Sequence, residues 1–234
     1  MENIVAQIDN NDVYVVIPAR NEATVIGDVI AGIKKAGFEN IIIIDDGSSD
    51  KTLEAAKNAG AMALRHRINR GKGAAVKTGL VAAQIKNAKI VVTMDGDGQH
   101  DPNDIQAVIA PIISHQADVV LGTRLFDSKN ISVYKVFANK TANILTRLLT
   151  GLWVADSQSG FRAFDAKALD VMAHVGDKYE YDSEIIRQIA RNRLKYTEVP
   201  IRVYYTDYSK GKAHKQGIVN GCKTLCRLVW NIIS

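Results

Sequence analysis

Short apolar segments alternate with amphipathic segments of helical length over the first half of the chain. The apolar segments are rich in β-branched residues and end in turn residues, which is typical of strands, and the segments between them have helical spacing. Because strands that alternate with helices form parallel sheets covered on both faces, we expect an α/β fold with a mostly parallel sheet flanked by helices, in a single domain. The predicted strands are Val13–Ile17, Ile41–Ile44, Ala61–Arg65, Ile90–Met94 and Val119–Leu121.

Four helices are predicted to follow the first four of these strands, and some of their ends carry capping residues. Ser49 or Asp50 can cap the second helix, and Asp101 followed by Pro102 is typical of a helix start. The predicted helices run from about residue 22 to 35, 49 to 58, 73 to 85 and 102 to 113.

The second half of the chain is less regular. We expect a helix, a polar loop leading into a short strand, an amphipathic helix and a last strand over Val133–Leu149, Asp156–Phe164, Tyr181–Arg191 and Tyr196–Tyr205, respectively. A final helix is predicted from about residue 214 to 233, with an apolar stripe and basic residues beside it. Such a helix can lie on a membrane surface, or it can pack on the domain or on a second subunit. We therefore expect a domain over residues 1–212 and a terminal helix over 213–234 that is not a separate domain.

Composition narrows the class of protein. The chain has 234 residues, of which 47% are hydrophobic and 24% charged, so it can form a full core as a globular protein. No export signal is expected at the start, and no apolar run approaches the roughly 18–20 residues of a membrane span. A net charge of +5 suits anionic substrates or an anionic membrane surface, while the dispersed basic residues argue against nucleic acid. Cys222 and Cys226 lie on one predicted helix, a poor geometry for a disulfide, so we expect a reduced, cytoplasmic protein.

The fourth predicted strand runs into two carboxylates one residue apart. Asp95 and Asp97 point to the same side if the strand continues, and Gln99 joins them if the chain turns at Gly98. Carboxylate and amide oxygens suit Mg²⁺ or Mn²⁺, and Mg²⁺ usually shares its shell with phosphate oxygens. The pattern predicts a metal site for a phosphorylated substrate, although the same residues also fit a polar turn after a buried strand.

Parallel sheets bind ligands beyond the carboxyl ends of their strands. Asp45 or Asp46 can accept hydrogen bonds there from a base or a ribose, or can form a turn before the next helix. Residues 70–73 open a helix, where glycine amides and the helix dipole favour an anion. Neither the dinucleotide fingerprint nor the P-loop is present, which excludes a dinucleotide-dependent dehydrogenase and a P-loop NTPase. The polar segments expected along this edge are Pro18–Glu22, Asp45–Ser48, Arg70–Gly73 and Asp95–Gln99.

Further charged residues can act on a phosphate or on the reaction. Arg124 and Arg162 could each bind a phosphate through two parallel hydrogen bonds, or form salt bridges. Asp182 and Glu184 begin a predicted helix, where complementing the helix dipole is a sufficient reason for one of them.

Taken together and in chain order, these segments resemble the family 2 inverting glycosyltransferases with the GT-A fold. The group they resemble is that of the dolichol-phosphate mannose synthases and related polyprenyl-phosphate sugar transferases. The matching segments are residues 16–22, 44–50, 71–75, 94–102, 122–124, 156–164 and 198–201.

The resemblance implies a nucleotide-sugar donor, a polyprenyl phosphate acceptor and a cation, Mg²⁺ or Mn²⁺, held by Asp95, Asp97 and Gln99. It also implies catalytic roles for Asp97, Arg124 and Asp182. Tyr204 stands where the mannose synthases have an arginine, so the donor is left open between GDP-mannose, a UDP-hexose and a UDP-N-acetylhexosamine. The expected substrate-binding residues are Pro18, Ala19, Arg20, Glu22, Asp46, Lys72, Asp95, Gln99, Arg124, Arg162, Ser209, Lys210 and Lys212.

The expected reaction is a single displacement in which a lipid monophosphate attacks the anomeric carbon. A phosphate monoester has a second pKa near ~6, so this acceptor is largely ionised at neutral pH and needs no strong base. A sugar hydroxyl would need one, and Asp182 is then the candidate. The alternatives are transfer to a glycan or polymer hydroxyl and a non-catalytic nucleotide-binding membrane adaptor. We expect the protein at the cytoplasmic face of the membrane, and it could form a homo-oligomer.

Overall fold

Seven strands form one sheet in the part of the chain that the computed structural model describes, residues 9–124, 147, 150–174 and 181–204. They lie side by side in the order β3-β2-β1-β4-β6-β5-β7, where the strands are β1 (Val13–Ala19), β2 (Ile41–Asp45), β3 (Met62–Arg65), β4 (Ile90–Thr93), β5 (Val119–Arg124), β6 (Arg162–Asp165) and β7 (Tyr196–Ile201).

The sheet is mostly parallel, as predicted. β1 pairs in parallel with β2 and β4, β2 with β3, and β5 with β7. The exception is β6, which lies antiparallel between β4 and β5. Its first residue, Arg162, is therefore opposite Thr93 at the end of β4. The loop that enters β6 and the loop that leaves β4 consequently meet at the same edge of the sheet.

Helices cover both faces of this sheet, as its sequence requires. Val15 and Ile17 of β1 belong to one buried apolar cluster, and Val16 belongs to the cluster on the other face. A strand that is apolar on both sides can be buried only between two layers. Among the described residues, the helices are α1 (Ile26–Lys35), α2 (Thr52–Asn58), α3 (Lys72–Ile85), α4 (Ile105–Ile113), α5 (Ala166–Ala173) and α6 (Tyr181–Arg191).

Several predicted bounds differ from the structure. α1 begins at Ile26, four residues later than expected, because the backbone N–H of Glu22 donates to Thr52 Oγ1 and that of Ala23 donates to Asp50. The helix expected from residue 102 begins as a short 3₁₀ turn, Pro102–Asp104, before α4. The last strand ends at residue 201 rather than 205. Helix α5 was not predicted.

Part of the prediction lies outside the described residues. This applies to most of the helix expected over Val133–Leu149, to the terminal helix with its two cysteines, and to Ser209, Lys210 and Lys212. The fold above belongs to the unit Met1–Val203, and residue 204 begins a second unit, so the domain boundary expected at 212 stays a prediction. Among the described helices, none has both the length and the apolar character needed to cross a bilayer.

Candidate active site

The four polar segments predicted at the carboxyl edge of the sheet do meet there. Direct contacts join each segment to the next. The N–H of Asn21 donates to Ser48 Oγ over 3.0 Å, and the N–H of Asp46 donates to the Ala19 carbonyl over 2.9 Å. Lys72, the first residue of α3, reaches Asp95 at the end of β4. The edge is thus one continuous polar surface built from separate parts of the chain.

Asp46 stabilises the turn that precedes α3. Its two carboxylate oxygens accept hydrogen bonds of 2.8 Å from the backbone N–H groups of Arg70 and Gly71, and one of them also contacts His66 Nδ1 at 2.8 Å. The side chain is buried. Two backbone donors expected to bind a ligand anion are therefore used by an internal carboxylate. The structure shows Asp46 positioning this turn, and the nucleotide contact expected of it stays a prediction.

Gly96 lies close to Pro18 at the end of β1. β1 pairs with β2 as far as Ala19, but its pairing with β4 ends at Val16. Proline has no N–H to donate, and alternation along the strand turns its nitrogen toward the side where β4 has already left the sheet. Gly96 follows this vacated edge closely, because a Cβ on it would lie 3.2 Å from the Pro18 carbonyl oxygen.

The other two residues predicted in this segment differ in exposure. Arg20 is exposed, whereas Glu22 is buried. The backbone carbonyl of Glu22 accepts from the N–H groups of Val25 and Ile26, so this residue also shapes the entry into α1. Arg20 is therefore the charged side chain of this segment that faces solvent at the edge of the sheet.

Asp95 already holds a cation, the ammonium group of Lys72. The Lys72 Nζ lies 2.6 Å from Asp95 Oδ1, and the two side chains are 40% and 30% exposed. Burial would raise the pKa of Asp95, but Lys72, followed by His100 and Arg162, outweighs it and holds that pKa well below its usual range. The carboxylate is therefore ionised over the physiological pH range and partly open to solvent.

The backbone of Gly160 packs directly against this ion pair, which is possible because glycine has no side chain. A Cβ at this position would lie 2.6 and 2.8 Å from the two oxygens of Asp95 and 2.8 Å from the Lys72 Nζ. All three distances are shorter than ordinary contacts. A side chain at this position would therefore displace the carboxylate of Asp95 or the ammonium group of Lys72.

Asp97 and Gln99 form a turn with each other. Asp97 accepts hydrogen bonds from the Gln99 N–H over 3.1 Å and from its Nε2 over 2.6 Å. The polar turn considered from the sequence is thus present. Asp95 and Asp97 have different partners here, although both carboxylates act electrostatically on His100. Each carboxylate alone would raise the pKa of His100, but burial of the ring outweighs them and lowers that pKa.

The chemistry of these oxygens fits a hard divalent cation, with Asp95 as the anchor. Its carboxylate is ionised, partly open, covered by a glycine and already paired with a positive charge. Across the residues that the structure describes, no group of three or more His, Cys, Asp or Glu side chains could hold a metal ion. A cation here would therefore depend on two carboxylates, Asp95 and Asp97, with the amide oxygen of Gln99, as the sequence predicts.

A second ion pair, between Arg162 and Asp182, lies close enough to the first to act on Lys72 electrostatically. Arg162 is almost completely buried, and its Nη2 lies 3.0 Å from the Ser157 carbonyl and 2.8 Å from Asp182 Oδ1. This contact ties the start of β6 to the start of α6. Arg162 and Asp182, expected to bind phosphate and to act on the reaction, are bound to each other in the structure.

Arg124 is held in the same way by Asp156. Its Nε and Nη2 donate to the two oxygens of Asp156 over 2.6 and 2.8 Å, and the Asp156 side chain is fully buried. This fork is the geometry that was expected to bind a phosphate. In the structure it binds a carboxylate, and the substrate role of Arg124 stays a prediction. Glu184 pairs with Arg187 and Gln188 of its own helix, which gives it a structural partner.

Sequence reasoning missed three residues that shape this site: His100, Asp156 and Gly160. The ring of His100 accepts from the N–H of Asp95 over 3.3 Å and packs on Phe161 with ring centres 5.2 Å apart. Asp156 and Gly160 lie in a segment that was predicted as a polar loop and matched to the family, but only Arg162 was named in it as a site residue. Their roles depend on contacts with residues far away in the chain, which no local pattern reveals.

The fold defines the class of protein. The structure resembles the crystal structure of glucosyl-3-phosphoglycerate synthase from Mycobacterium tuberculosis in complex with Mn²⁺, UDP-glucose and phosphoglyceric acid, with a TM-score of 0.64 and 20% sequence identity. The match covers 92% of this chain and 79% of that one. The α/β sheet and its flanking helices are those of the GT-A glycosyltransferases.

The sequence narrows this class to a family. Residues 14–172 match Glycosyl transferase family 2, and the chain belongs to that family. It is 39% identical over 228 residues to the uncharacterised protein MJ1222 of Methanocaldococcus jannaschii, covering 95% of this chain and 93% of the relative. It is 37% identical over 239 residues to the UDP-N-acetylglucosamine–dolichyl-phosphate N-acetylglucosaminyltransferase of Methanococcus voltae, covering 93% and 94%. The resemblance inferred from the motifs is confirmed, and the protein is a glycosyltransferase.

Proposed function

We propose that the protein transfers a sugar from a nucleotide sugar to a polyprenyl phosphate, with a divalent cation at Asp95, Asp97 and Gln99. The acceptor is the part of this proposal that the site geometry supports best. Asp95 and Asp182, the acidic residues predicted to bind the metal and to act as a general base, are each paired with a cationic side chain, Lys72 and Arg162. Neither is placed as an unpaired general base.

An acceptor that brings its own negative charge suits this arrangement. A phosphate monoester oxygen attacks the anomeric carbon without first losing a proton to the protein, since it is already ionised near neutral pH. The bond between that carbon and the diphosphate oxygen breaks, and the nucleoside diphosphate leaves with the electron pair. A sugar hydroxyl would have to lose a proton, which favours the lipid phosphate over the glycan hydroxyl as acceptor.

The charged side chains would orient the two phosphorylated substrates. Lys72 and Arg20 are exposed cations at the edge, and they would face the donor diphosphate and its nucleotide. When bound, the cation would offset the charge that develops on the leaving diphosphate. The relative from Methanococcus voltae is named for UDP-N-acetylglucosamine and dolichyl phosphate. That donor is the first to test, and a lipid acceptor places the enzyme at a membrane surface.

The test is release of nucleoside diphosphate by the purified full chain with Mn²⁺ or Mg²⁺. UDP-N-acetylglucosamine, other UDP-sugars and GDP-mannose are each offered with a short polyprenyl phosphate, with a sugar acceptor, or alone. Release that requires the lipid phosphate supports the proposal. Release with the sugar acceptor alone supports transfer to a hydroxyl, and binding without any turnover supports the adaptor.

The cation assignment has its own variant. Asp97→Ala should abolish metal-dependent transfer and leave the fold intact, because Asp97 contacts only its own turn among the hydrogen bonds described above. The matched control is Glu39→Ala, which removes an exposed carboxylate just before β2, at the opposite edge of the sheet. Full activity in Asp97→Ala would end the assignment.

A further inference from the structure

The ammonium group of Lys72 stands where a metal ion on Asp95 would have to compete. It lies 2.6 Å from one carboxylate oxygen of Asp95, in the space that Gly160 leaves free. A divalent cation bound to the same carboxylate would be close to this positive charge. Two cations near one carboxylate repel each other, so metal and ammonium cannot both bind it without a loss of affinity.

We propose that Lys72 occupies the metal-binding carboxylate of the donor-free enzyme and moves to the diphosphate when the nucleotide sugar binds. The metal and the nucleotide then bind together, and the metal alone binds weakly. This inference rests on the proposed function, since it assumes a diphosphate and a cation at Asp95.

Two cationic side chains, Lys72 and Arg162, lie near Asp95, and Lys72 is the one that can move. Its side chain is 40% exposed, and it begins α3 directly after Gly71, whose φ is +95°. An ammonium on a flexible four-carbon stem is a mobile point charge with three donors. The guanidinium of Arg162, in contrast, is 2% exposed and held by both Ser157 and Asp182. Arg162 therefore stays in place, and its positive charge repels that of Lys72.

The diphosphate supplies what Lys72 loses when it leaves Asp95. Phosphate oxygens are strong acceptors for an ammonium group, and the start of α3 adds the positive end of a helix dipole at the same place. The number of ion pairs that Lys72 makes is unchanged, because one carboxylate–ammonium contact is replaced by one phosphate–ammonium contact. Asp95 is freed for the metal in the same step. By thermodynamic linkage, the nucleotide must then tighten metal binding as much as the metal tightens nucleotide binding.

The experiment measures Mn²⁺ affinity of the full chain by electron paramagnetic resonance of the free ion, with and without UDP. Lys72→Met removes the charge and keeps much of the length. We expect this variant to bind Mn²⁺ alone about tenfold more tightly than the wild type, or ~1.4 kcal/mol, and to lose most of the tightening by UDP. Lys72→Arg keeps the charge and should bind Mn²⁺ alone no more tightly than the wild type.

Lys86→Met is the matched control. Lys86 is exposed and directly follows α3, about 20 Å along the helix axis from Lys72. This variant should reproduce the wild-type affinities, and thermal unfolding should show all three variants folded. Mn²⁺ binding to Lys72→Met that is no tighter than to the wild type overturns the inference. So does a Lys86→Met variant that binds Mn²⁺ alone as tightly as Lys72→Met.

The outcomes separate this inference from the proposed function. If the wild type turns over and binds Mn²⁺ equally well with and without UDP, the exchange is wrong and the function stands. If Lys72 governs Mn²⁺ binding as expected but no acceptor supports turnover, the exchange stands and the proposed reaction fails. If Mn²⁺ binds none of the variants under either condition, the cation assignment fails and the inference fails with it.

Discussion

The ion pair between Arg124 and Asp156 should contribute measurably to the free energy of unfolding. Its two charge-assisted hydrogen bonds are 2.6 and 2.8 Å long, and the carboxylate is fully buried. Removing one partner of a buried pair costs about 3–5 kcal/mol. Arg124 is 24% exposed and can be partly rehydrated, so we expect Arg124→Ala and Asp156→Ala each to lower the free energy of unfolding by about 2–3 kcal/mol.

A double-mutant cycle isolates this interaction. Urea unfolding of both single variants and of the double variant should show a coupling energy of about 2 kcal/mol, since each single change already removes the pair. The exposed pair of Arg187 and Glu184 on α6 is the comparison, and its coupling should be about 0.3–0.5 kcal/mol. If the effects of Arg124→Ala and Asp156→Ala add to within about 0.5 kcal/mol, the buried pair does not stabilise the fold as argued.

Three further changes test other parts of the structure. Gly79→Ala should lower the free energy of unfolding by about 1–3 kcal/mol in urea titrations, because its Cβ would overlap Cγ1 of Val16 on the sheet; unchanged stability would contradict the close packing of α3. Burial would raise the pKa of Asp118, but hydrogen bonds from Lys167 and a backbone amide outweigh it and lower that pKa, so its stabilisation is present above about pH 4 and lost as pH falls through the lowered value. The drop in melting temperature between pH 5 and pH 3 should therefore be smaller in Asp118→Asn, and an equal drop would refute this. Gly160→Ala should weaken UDP-dependent Mn²⁺ binding at least tenfold in calorimetry, or ~1.4 kcal/mol, with little change in melting temperature, and wild-type binding would show that the space above the carboxylate is not needed.

The strands could be predicted from the sequence because their apolar residues are consecutive and β-branched. Their ends could not, because partners distant in the chain decide them: β1 extends to Ala19 since its carbonyl accepts the N–H of Asp46. The short helix α5 was missed although Asp165 caps it by accepting from the Ala168 N–H. Its eight residues directly follow β6 without a turn, so the apolar pattern of the strand runs into that of the helix.

The site was predictable by position but not by pairing. Acidic and glycine-bearing segments after parallel strands must meet at one edge, and they do. Which cation pairs with which carboxylate depends on side-chain reach across the sheet: Lys72 and Asp95 lie 23 residues apart in the chain, and Arg124 and Asp156 lie 32 apart. Such pairs leave no periodic signal, so the arginines expected to meet a phosphate were found bound to carboxylates.

The position of β6 has a consequence for the growing chain. β6 is made after β5 but lies between β4 and β5, so β4 waits for it with one edge unpaired. β5 waits with both edges unpaired, because its other neighbour, β7, is made later still. On the ribosome, about 40 further residues have to emerge after β5 before this gap can close. The waiting edge of β4 is apolar, with Val91 and Val92 at its centre, and open strand edges recruit other chains. Fragments that stop short of residue 165 should therefore aggregate during expression, and fragments that include both β6 and β7 should aggregate less.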